Sequence, residues 1–432
     1  MKQKLAGSRL VLLFSDLWKF AQLIFRQQLN DHDFEQLALS ATETMEHQIV
    51  FYFALRLGFD QSVEKLVEMK RQFDLKNWFL RFFILINLSR AYPVFSAEGD
   101  TAIYLGDPLF ASKDKVVLKI VVVVGTAVMY FAHEGIMLVE RQGGFVGEAM
   151  RIKDLIKNGF SHFPFVAPQQ KDFNRTCYYV CLFWNFSCPL IILYVTILYN
   201  YELVINLYNH FSFKTLFFEV AWTLTLTPLV ALLAAQLVCL GAVSCLYTTV
   251  HHYHMGSLKN ATSLLLKSND KPYNSDIRFI TRHATVLFNE MDLNFRKIRF
   301  LIFYFYTGVA LQSLWFIQFA IIIGNHSVVM DTLIAGLGII IITHTLIISL
   351  VCARLTNKVR RLYPMWHQVY LKSKATIIMK LKMIEILNRT TLPTTGFQIG
   401  DFGAITTDFV LIFLLEFASM MMMLSCNFGS FF

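Results

Sequence analysis

Residues 215–250 read TLFFEVAWTLTLTPLVALLAAQLVCLGAVSCLYTTV and contain one charged side chain, Glu219. An α-helix rises about 1.5 Å per residue, so about 20 apolar residues are enough to cross the hydrocarbon core of a bilayer. A soluble domain could not bury a run so long and so apolar. The stretch therefore predicts a membrane-spanning helix.

The composition of the whole chain agrees with that prediction. Of its 432 residues, 55% are hydrophobic and 16% are charged, whereas soluble domains have about 45–50% and about 25%. This balance excludes an ordinary soluble enzyme. The net charge of +9 fits cationic loops beside membrane spans, so no nucleic-acid partner is expected.

Seven runs in the sequence are long enough to span a bilayer. The first is the weakest, because Arg81 and Arg90 interrupt it, and the short run Ile49–Phe59 competes as an extra or re-entrant segment. We therefore predict an all-α, multi-pass membrane protein of one domain, residues 1–432, with a cytoplasmic N-terminal region at 1–75. The predicted spans are 76–95, 115–139, 176–207, 215–250, 297–324, 328–353 and 404–425.

The distribution of Lys and Arg among the connections predicts the orientation, because short cytoplasmic loops are enriched in these residues. Thirty-two of them fall in residues 1–76 and in the connections 140–175, 251–297 and 354–403, against three in or at the edge of the other connections. The N-terminus is therefore predicted to be inside and the C-terminus outside, at the plasma membrane. This orientation is opposite to that of G-protein-coupled receptors. The third and fourth runs exceed the bilayer thickness, so we expect them to tilt or to project into the cytoplasm.

Motifs for catalysis are missing from the sequence. It contains no Walker A pattern, no G-x-S-x-G and no G-x-G-x-x-G after a strand, and we predict no catalytic residues, no enzymatic activity and no cofactor. Its one metal-like cluster comprises His251, His252 and His254, too few for the di-iron site of a membrane desaturase. A helix end is the simpler interpretation, because His near a helix C-terminus interacts favourably with the helix dipole.

Glu416 lies near the middle of the last predicted span. A carboxylate that faces lipid costs several kcal/mol, so this side chain must face protein or water. One interpretation is a protonated or hydrogen-bonded Glu416 between helices, with His344 or Gln312 as its partner. The other is a residue that lines a water-filled path, where one carboxylate per subunit around a symmetry axis would favour cations.

Further polar and aromatic side chains gather toward the predicted outer halves of the third to sixth spans. Apolar walls with a few polar groups are typical of a small-molecule pocket. Interfacial anchoring and hydrogen bonds between helices are the alternative roles for each residue. The candidates for a ligand pocket are Tyr194, Tyr199, Glu219, Trp222, Thr225, Gln312, Trp315 and Asp331.

The last span also carries a recognisable local pattern. Glu416 and Phe417 follow five hydrophobic residues, 411–415, where the insect gustatory receptor family has Thr-Tyr, five hydrophobic residues and Gln-Phe; Phe409 and Val410 stand in place of Thr-Tyr. The stretch 403–407 is similar to the one that precedes the family motif, displaced by two residues. With seven spans and an inside N-terminus, the chain resembles a divergent or gustatory-receptor-like member of this branch of the insect chemoreceptor superfamily.

The resemblance implies a tetrameric, ligand-gated, non-selective cation channel with a small-molecule tastant as its ligand. In the family the last helices of four subunits line the pore, which implies pore-lining roles for Glu416, Phe417 and Phe413. The partners implied are related subunits, in a homo- or hetero-tetramer, and membrane lipids. Two alternatives stay open. One is a receptor-like protein with a non-sensory or auxiliary role, and the other is a G-protein-coupled receptor, although no Asp-Arg-Tyr follows the third span.

Overall fold

The computed structural model describes residues 31–59, 64–65, 68, 75–97, 101, 104, 115–143, 150–160, 167–209, 211–267, 274–318, 320, 328–392 and 395–428. Within these residues the chain is almost entirely helical, with one isolated β-bridge between Gln398 and Ala404. The helices are α1 (Asp31–Phe51), α2 (Leu75–Ser96), α3 (Lys115–Arg141), α4 (Ile152–Asn158), α5 (Ala167–Asn209), α6 (Phe213–Lys267), α7 (Asn274–Gln318), α8 (Val328–Arg360), α9 (Tyr363–Lys372), α10 (Ile377–Thr391) and α11 (Thr407–Phe428).

Each predicted span coincides with one of these helices, namely α2, α3, α5, α6, α7, α8 or α11. The end of the fifth predicted span, beyond residue 320, lies outside the described residues. Five stretches of the described chain are long and apolar enough to cross a bilayer, and they lie in α5, in α6, in α7, in α8 with α9, and in α11. The nearly all-helical class is confirmed, while the count of seven spans and the orientation stay predictions.

Three helices are much longer than a bilayer requires. Helices α5, α6 and α7 have 43, 55 and 45 residues, whereas about 20 residues cross about 30 Å of hydrocarbon. The sequence presents the connections 251–297 and 354–403 as loops. Much of the first is instead the end of α6 and the start of α7, and much of the second forms helices α9 and α10. These parts carry a narrow apolar stripe, such as buried Ile277, Ala284 and Met291 on α7, and such a stripe gives no continuous apolar run.

Helix α6 lies at the centre of the fold. In its apolar stretch 89% of the residues are buried, against 6% in that of α11. A Cβ atom at Gly241 would lie 2.8 Å from Trp184 on α5 and 2.9 Å from Ile348 on α8, so the glycine permits both helices to approach. Small residues at such contacts are typical of membrane helices. Lipid tails are as apolar as the side chains, so the helices associate through close packing and not through the hydrophobic effect.

The run Ile49–Phe59 does not continue as a helix. Helix α1 ends at Phe51, and residues 52–59 form successive turns. The Phe59 amide donates to Glu46 Oε1 over 3.0 Å, and the Leu57 amide donates to Glu140 Oε1 over 3.2 Å. Two acidic side chains therefore hold these turns, and the run is not an extra spanning helix.

The connection from α10 to α11 forms a tight hairpin against α7. The Ile399 amide donates to the Gly403 carbonyl over 3.0 Å, and the Gly400 amide donates to the Arg299 carbonyl of α7 over 2.9 Å. At the start of α11 the Thr406 hydroxyl accepts a hydrogen bond from the Phe409 amide at 3.1 Å. Such a cap satisfies an orphan amide of the first helical turn, which explains why the last helix begins at Thr407 and not at the predicted residue 404.

Candidate functional site

Helix α11 has one face that no other part of the described chain covers. Ile412, Glu416, Ser419 and Met423 are spaced by three or four residues, and all four side chains are exposed. Residues at this spacing share one face of a helix. In a bilayer a face that carries a carboxylate is expected to meet protein or water and not lipid.

A neighbouring face of α11 packs on α7 through aromatic rings. The rings of Phe409 and Phe413 lie 6.1 and 6.0 Å from that of Tyr306, and Phe417 lies 6.5 Å from Phe413. Phe413 and Phe417 are half-buried. Of the three residues predicted to line a pore, the structure therefore places Glu416 on the exposed face and the two phenylalanines on or beside the packing face.

Neither of the two side chains predicted as partners of Glu416 contacts it in the described contacts. His344 Nδ1 lies 2.8 Å from the Ile340 carbonyl oxygen, and its ring packs beside Phe183 and Trp184 at 5.7 and 5.4 Å. Gln312 is buried in α7. Because Glu416 itself is exposed, the interpretation that it is buried between helices of its own chain is wrong.

Both ends of α11 are tied to neighbouring helices. Gln318 at the end of α7 donates through Nε2 to the Met421 carbonyl over 2.7 Å and to Ser425 Oγ over 3.2 Å. At the other end, Asn357 of α8 donates to Thr407 Oγ1 over 2.7 Å. These polar contacts fix which face of α11 is turned toward the fold and which face is left exposed.

Some candidates for the ligand pocket lie where α5 meets α8. The Tyr194 hydroxyl donates to the Leu333 carbonyl over 2.7 Å, and it lies so close to Gly336 that a Cβ there would collide with it. Asp331, one half-turn before Leu333, is half-buried. Tyr199 packs against the edge of the main core. The Tyr194 contact therefore joins one predicted pocket residue of α5 to the part of α8 that carries another, Asp331.

Other candidates lie on the opposite side, where α6 faces α2. Trp222 stacks under the Arg90 guanidinium at 4.1 Å and donates through Nε1 to the Tyr104 carbonyl over 3.3 Å. The Thr225 hydroxyl donates to the Trp222 carbonyl over 2.8 Å. Glu219 is buried one turn earlier on α6. On α7, Gln312 is buried and Trp315 is half-buried. The predicted set is thus not one cluster: some members lie between α5 and α8, others on α6 facing α2, and Gln312 and Trp315 on α7.

An ion pair that the sequence does not reveal explains how α2 can be apolar and yet carry arginines. Arg81 donates through Nε and Nη2 to the two carboxylate oxygens of Glu134 on α3, over 2.6 and 2.5 Å. Bidentate pairs of this kind are the strong ones. The two opposite charges in neighbouring predicted spans were the available signal, since charges inside membranes are usually paired.

A buried polar triad joins α2, α3 and α6. His133 on α3 has Nδ1 3.0 Å from Gln236 Oε1 and Nε2 2.7 Å from Asn77 Oδ1, and all three side chains are buried. Scattered single polar residues in three separate apolar runs gave no sequence signal of this contact. Only the arrangement of the helices brings them together.

A cavity of about 420 Å³ lies next to this triad, between the turn after α1 and helices α2 and α6. Thr225 is the one predicted pocket residue that lines it. The other lining residues are apolar, so no polar side chain marked them as candidates in the sequence. The lining residues are Phe53, Phe79, Leu80, Phe83, Leu224, Thr225, Pro228, Leu229 and Leu232.

The histidine cluster lies in the packed part of α6 beyond its apolar stretch. The His251 ring lies 4.5 Å from that of Tyr247, and His254 stacks on Phe160 at 4.0 Å. Aromatic rings therefore surround these imidazoles. Within the described ranges, no group of three or more His, Cys, Asp or Glu side chains is arranged to hold a metal ion.

Comparison with known proteins shows which solved structures have a similar fold. No protein family profile matches the sequence, and no curated protein matches it. Among solved structures, the fold is similar to that of the insect olfactory receptor OR5 from Machilis hrabei, with a TM-score of 0.57 and 10% identity, over 79% of this chain and 87% of the receptor. The same receptor in complex with eugenol gives a TM-score of 0.57 and 10% identity, over 80% and 87%. The chain therefore has the helical fold of a multi-pass insect olfactory receptor.

Proposed function

We propose that this protein is a subunit of a ligand-gated cation channel of the chemoreceptor kind, with a taste-type role, located in the plasma membrane. In this proposal the chain forms one domain with seven spans, an inside N-terminus and an outside C-terminus. The protein is a channel and not an enzyme, its ligand is a small molecule, and four related or identical subunits assemble around a central pore.

The exposed face of α11 carries this proposal. An apolar helix of this length, with only 6% of the residues in its apolar stretch buried in its own chain, needs contacts from outside that chain. Glu416 and Ser419 are polar members of the exposed face. A ring of such faces from several subunits would surround a water-filled path and place a ring of carboxylates in it, which favours cations.

The cytoplasmic part of the proposed subunit offers a second surface for assembly. Ile377, Ile378 and Leu381 on α10 are 79%, 71% and 61% exposed. An exposed apolar patch on a helix of otherwise polar character is typical of a protein interface. The similarity of fold to an insect olfactory receptor, which has been solved in complex with eugenol, supports a small-molecule ligand for this chain as well.

The test of this proposal is ionic current through the variant Glu416→Gln. We expect the permeability to divalent cations, relative to monovalent cations, to fall several-fold, because the ring of carboxylates is neutralised. The chain would be expressed in a cell line, and reversal potentials would be measured in solutions of different ionic composition. Activation would use a panel of small organic compounds that includes eugenol.

Glu43→Gln is the matched control, because Glu43 is an exposed acid on α1 and its loss should leave permeability unchanged. Equal divalent permeability for wild type and Glu416→Gln would show that Glu416 does not line the pore. A current that depends on intracellular GTP would instead indicate a G-protein-coupled receptor.

A further inference from the structure

The cavity between α2 and α6 is held open from both ends. At one end Asn77 of α2 and Gln236 of α6 both contact His133 of α3. At the other end Arg90 of α2 stacks on Trp222 of α6 at 4.1 Å. The cavity residues of both helices lie between these two contacts along the chain.

The two contacts are almost equally far apart along α2 and along α6. Asn77 and Arg90 are 13 residues apart, and Trp222 and Gln236 are 14 residues apart, so each helix spans about 20 Å between the contacts. The helices run antiparallel and are pinned twice at matching heights. They therefore cannot close the gap without breaking one of the contacts, and the cavity is preformed.

The walls of this cavity fit an apolar molecule. Phe53, Phe79 and Phe83 supply aromatic rings, and Phe53 adopts a left-handed backbone conformation with φ +61°. A residue with a side chain holds such a conformation only where its surroundings impose it. A cavity of about 420 Å³ is larger than the roughly 150 Å³ that binds benzene in an engineered site, and it falls within the range of natural ligand pockets.

The few polar groups at the cavity accept hydrogen bonds. The Thr225 hydroxyl donates its proton to the Trp222 carbonyl, so its oxygen is left as an acceptor. Pro228 lies within α6 and has no backbone N–H, so the Leu224 carbonyl lacks the hydrogen bond that residue 228 would otherwise donate. A ligand that forms a hydrogen bond with either of these acceptors must carry a hydrogen-bond donor.

From these observations we propose that the gap between α2 and α6 is a binding site for a neutral, apolar molecule that carries one hydroxyl group, such as an alkylated phenol. The site is separate from the contact of Tyr194 with α8. It does not depend on the proposed channel function, because binding can be measured without current.

The test is photolabelling of the full-length protein in lipid nanodiscs. The probes are an alkylphenol that carries a diazirine and its methyl ether, which has the same apolar part and no donor. We expect labels on peptides that contain residues 79–83 and 224–232. At concentrations below saturation we expect about fivefold more labelling by the phenol, the effect of one net hydrogen bond.

Three variants of α6 make the test specific. Leu232→Trp fills the cavity and should reduce labelling at least tenfold, whereas Leu237→Trp, which changes another half-buried leucine of the same helix outside the cavity lining, should leave it unchanged. Thr225→Val keeps the side-chain shape and should lower the preference for the phenol over its ether.

Three results would overturn the proposal. Equal labelling by the phenol and the ether would show that no donor is recognised. Labelling that Leu232→Trp does not reduce, in a variant that elutes from a size-exclusion column as the wild type does, would show that the probe lies elsewhere. Labels spread evenly over lipid-facing residues such as Leu193 would show that the gap is filled by lipid chains.

Discussion

Arg81 and Glu134 meet in the apolar part of the fold with side chains that are 25% and 29% exposed. Each charge compensates the other, so two charged residues fit within helices that are otherwise apolar. Removal of one partner leaves the other charge desolvated, which costs more than the pair contributes. The main effect of the pair is therefore to select α3 as the neighbour of α2.

We predict that Arg81→Met lowers the stability of the protein by about 2 kcal/mol, below the roughly 3–5 kcal/mol of a fully buried pair because both side chains are partly exposed. The double variant Arg81→Met with Glu134→Met should recover most of this loss. Melting of the purified protein in detergent, followed by size-exclusion chromatography, measures both. A double variant that melts below the single variant would contradict the pairing argument.

Other residue contacts show why site residues were harder to predict than helices. Glu416, Phe413 and Phe417 are close in sequence, and the resemblance to a family motif suggested one shared role. The structure turns Phe413 toward Tyr306 on α7 and Glu416 away from the fold. At about 100° per residue, Glu416 projects about 60° away from Phe413 and about 100° away from Phe417 around the helix axis, so residues of one short motif differ in exposure.

At the scale of elements, the hairpin between α10 and α11 determines where and in which direction the last helix starts. Gly400 has φ +53° at the point where its amide bonds to Arg299 of α7. Arg299 also pairs with Asp401 over 2.9 Å. Backbone and side chain of one α7 residue therefore fix the hairpin from which α11 starts.

We predict that Gly400→Ala lowers stability by about 1–2 kcal/mol, because a Cβ is disfavoured in the left-handed region and would lie 3.3 Å from Phe303 Cβ. Gly135→Ala is the control: its Cβ would meet only a terminal methyl of Leu301, and Ala is the better helix former. Thermal melting of the two variants compares them. A Gly400→Ala variant as stable as wild type would show that the hairpin tolerates another conformation.

At the scale of the whole molecule, the balance between α6 and α11 argues for assembly. The apolar stretch of the central helix is 89% buried, whereas that of the last helix is 6% buried. Such an arrangement leaves the isolated chain incomplete, because its most exposed apolar helix carries a carboxylate that lipid does not solvate. Assembly of several copies around α11 would remove that conflict.

The orientation of the chain is the remaining prediction at this scale. Epitope tags placed at Met1 and within residues 373–376, between α9 and α10, should be detected by antibody only after cells are permeabilised, and a tag after Phe432 should be detected on intact cells, because Lys and Arg are retained inside. Detection of the Met1 tag on intact cells, with the Phe432 tag hidden, would reverse the orientation and favour a G-protein-coupled receptor.

The sequence by itself determined the membrane class and the approximate positions of the long apolar helices. Both follow from a local property, since apolar runs decide where a helix can cross lipid. The helical parts outside the predicted spans were missed because their apolar residues form a stripe and not a run.

Only the tertiary structure decided which residues meet. Arg81 and Glu134 are 53 positions apart, and Thr225 reaches a cavity because α2 lies beside α6 and not because of its own neighbours in sequence. A helix that is apolar on all sides, such as α6, does not encode which side faces which neighbour. That choice depends on packing and on a few polar contacts between helices, and these contacts also decided that Glu416 faces outward.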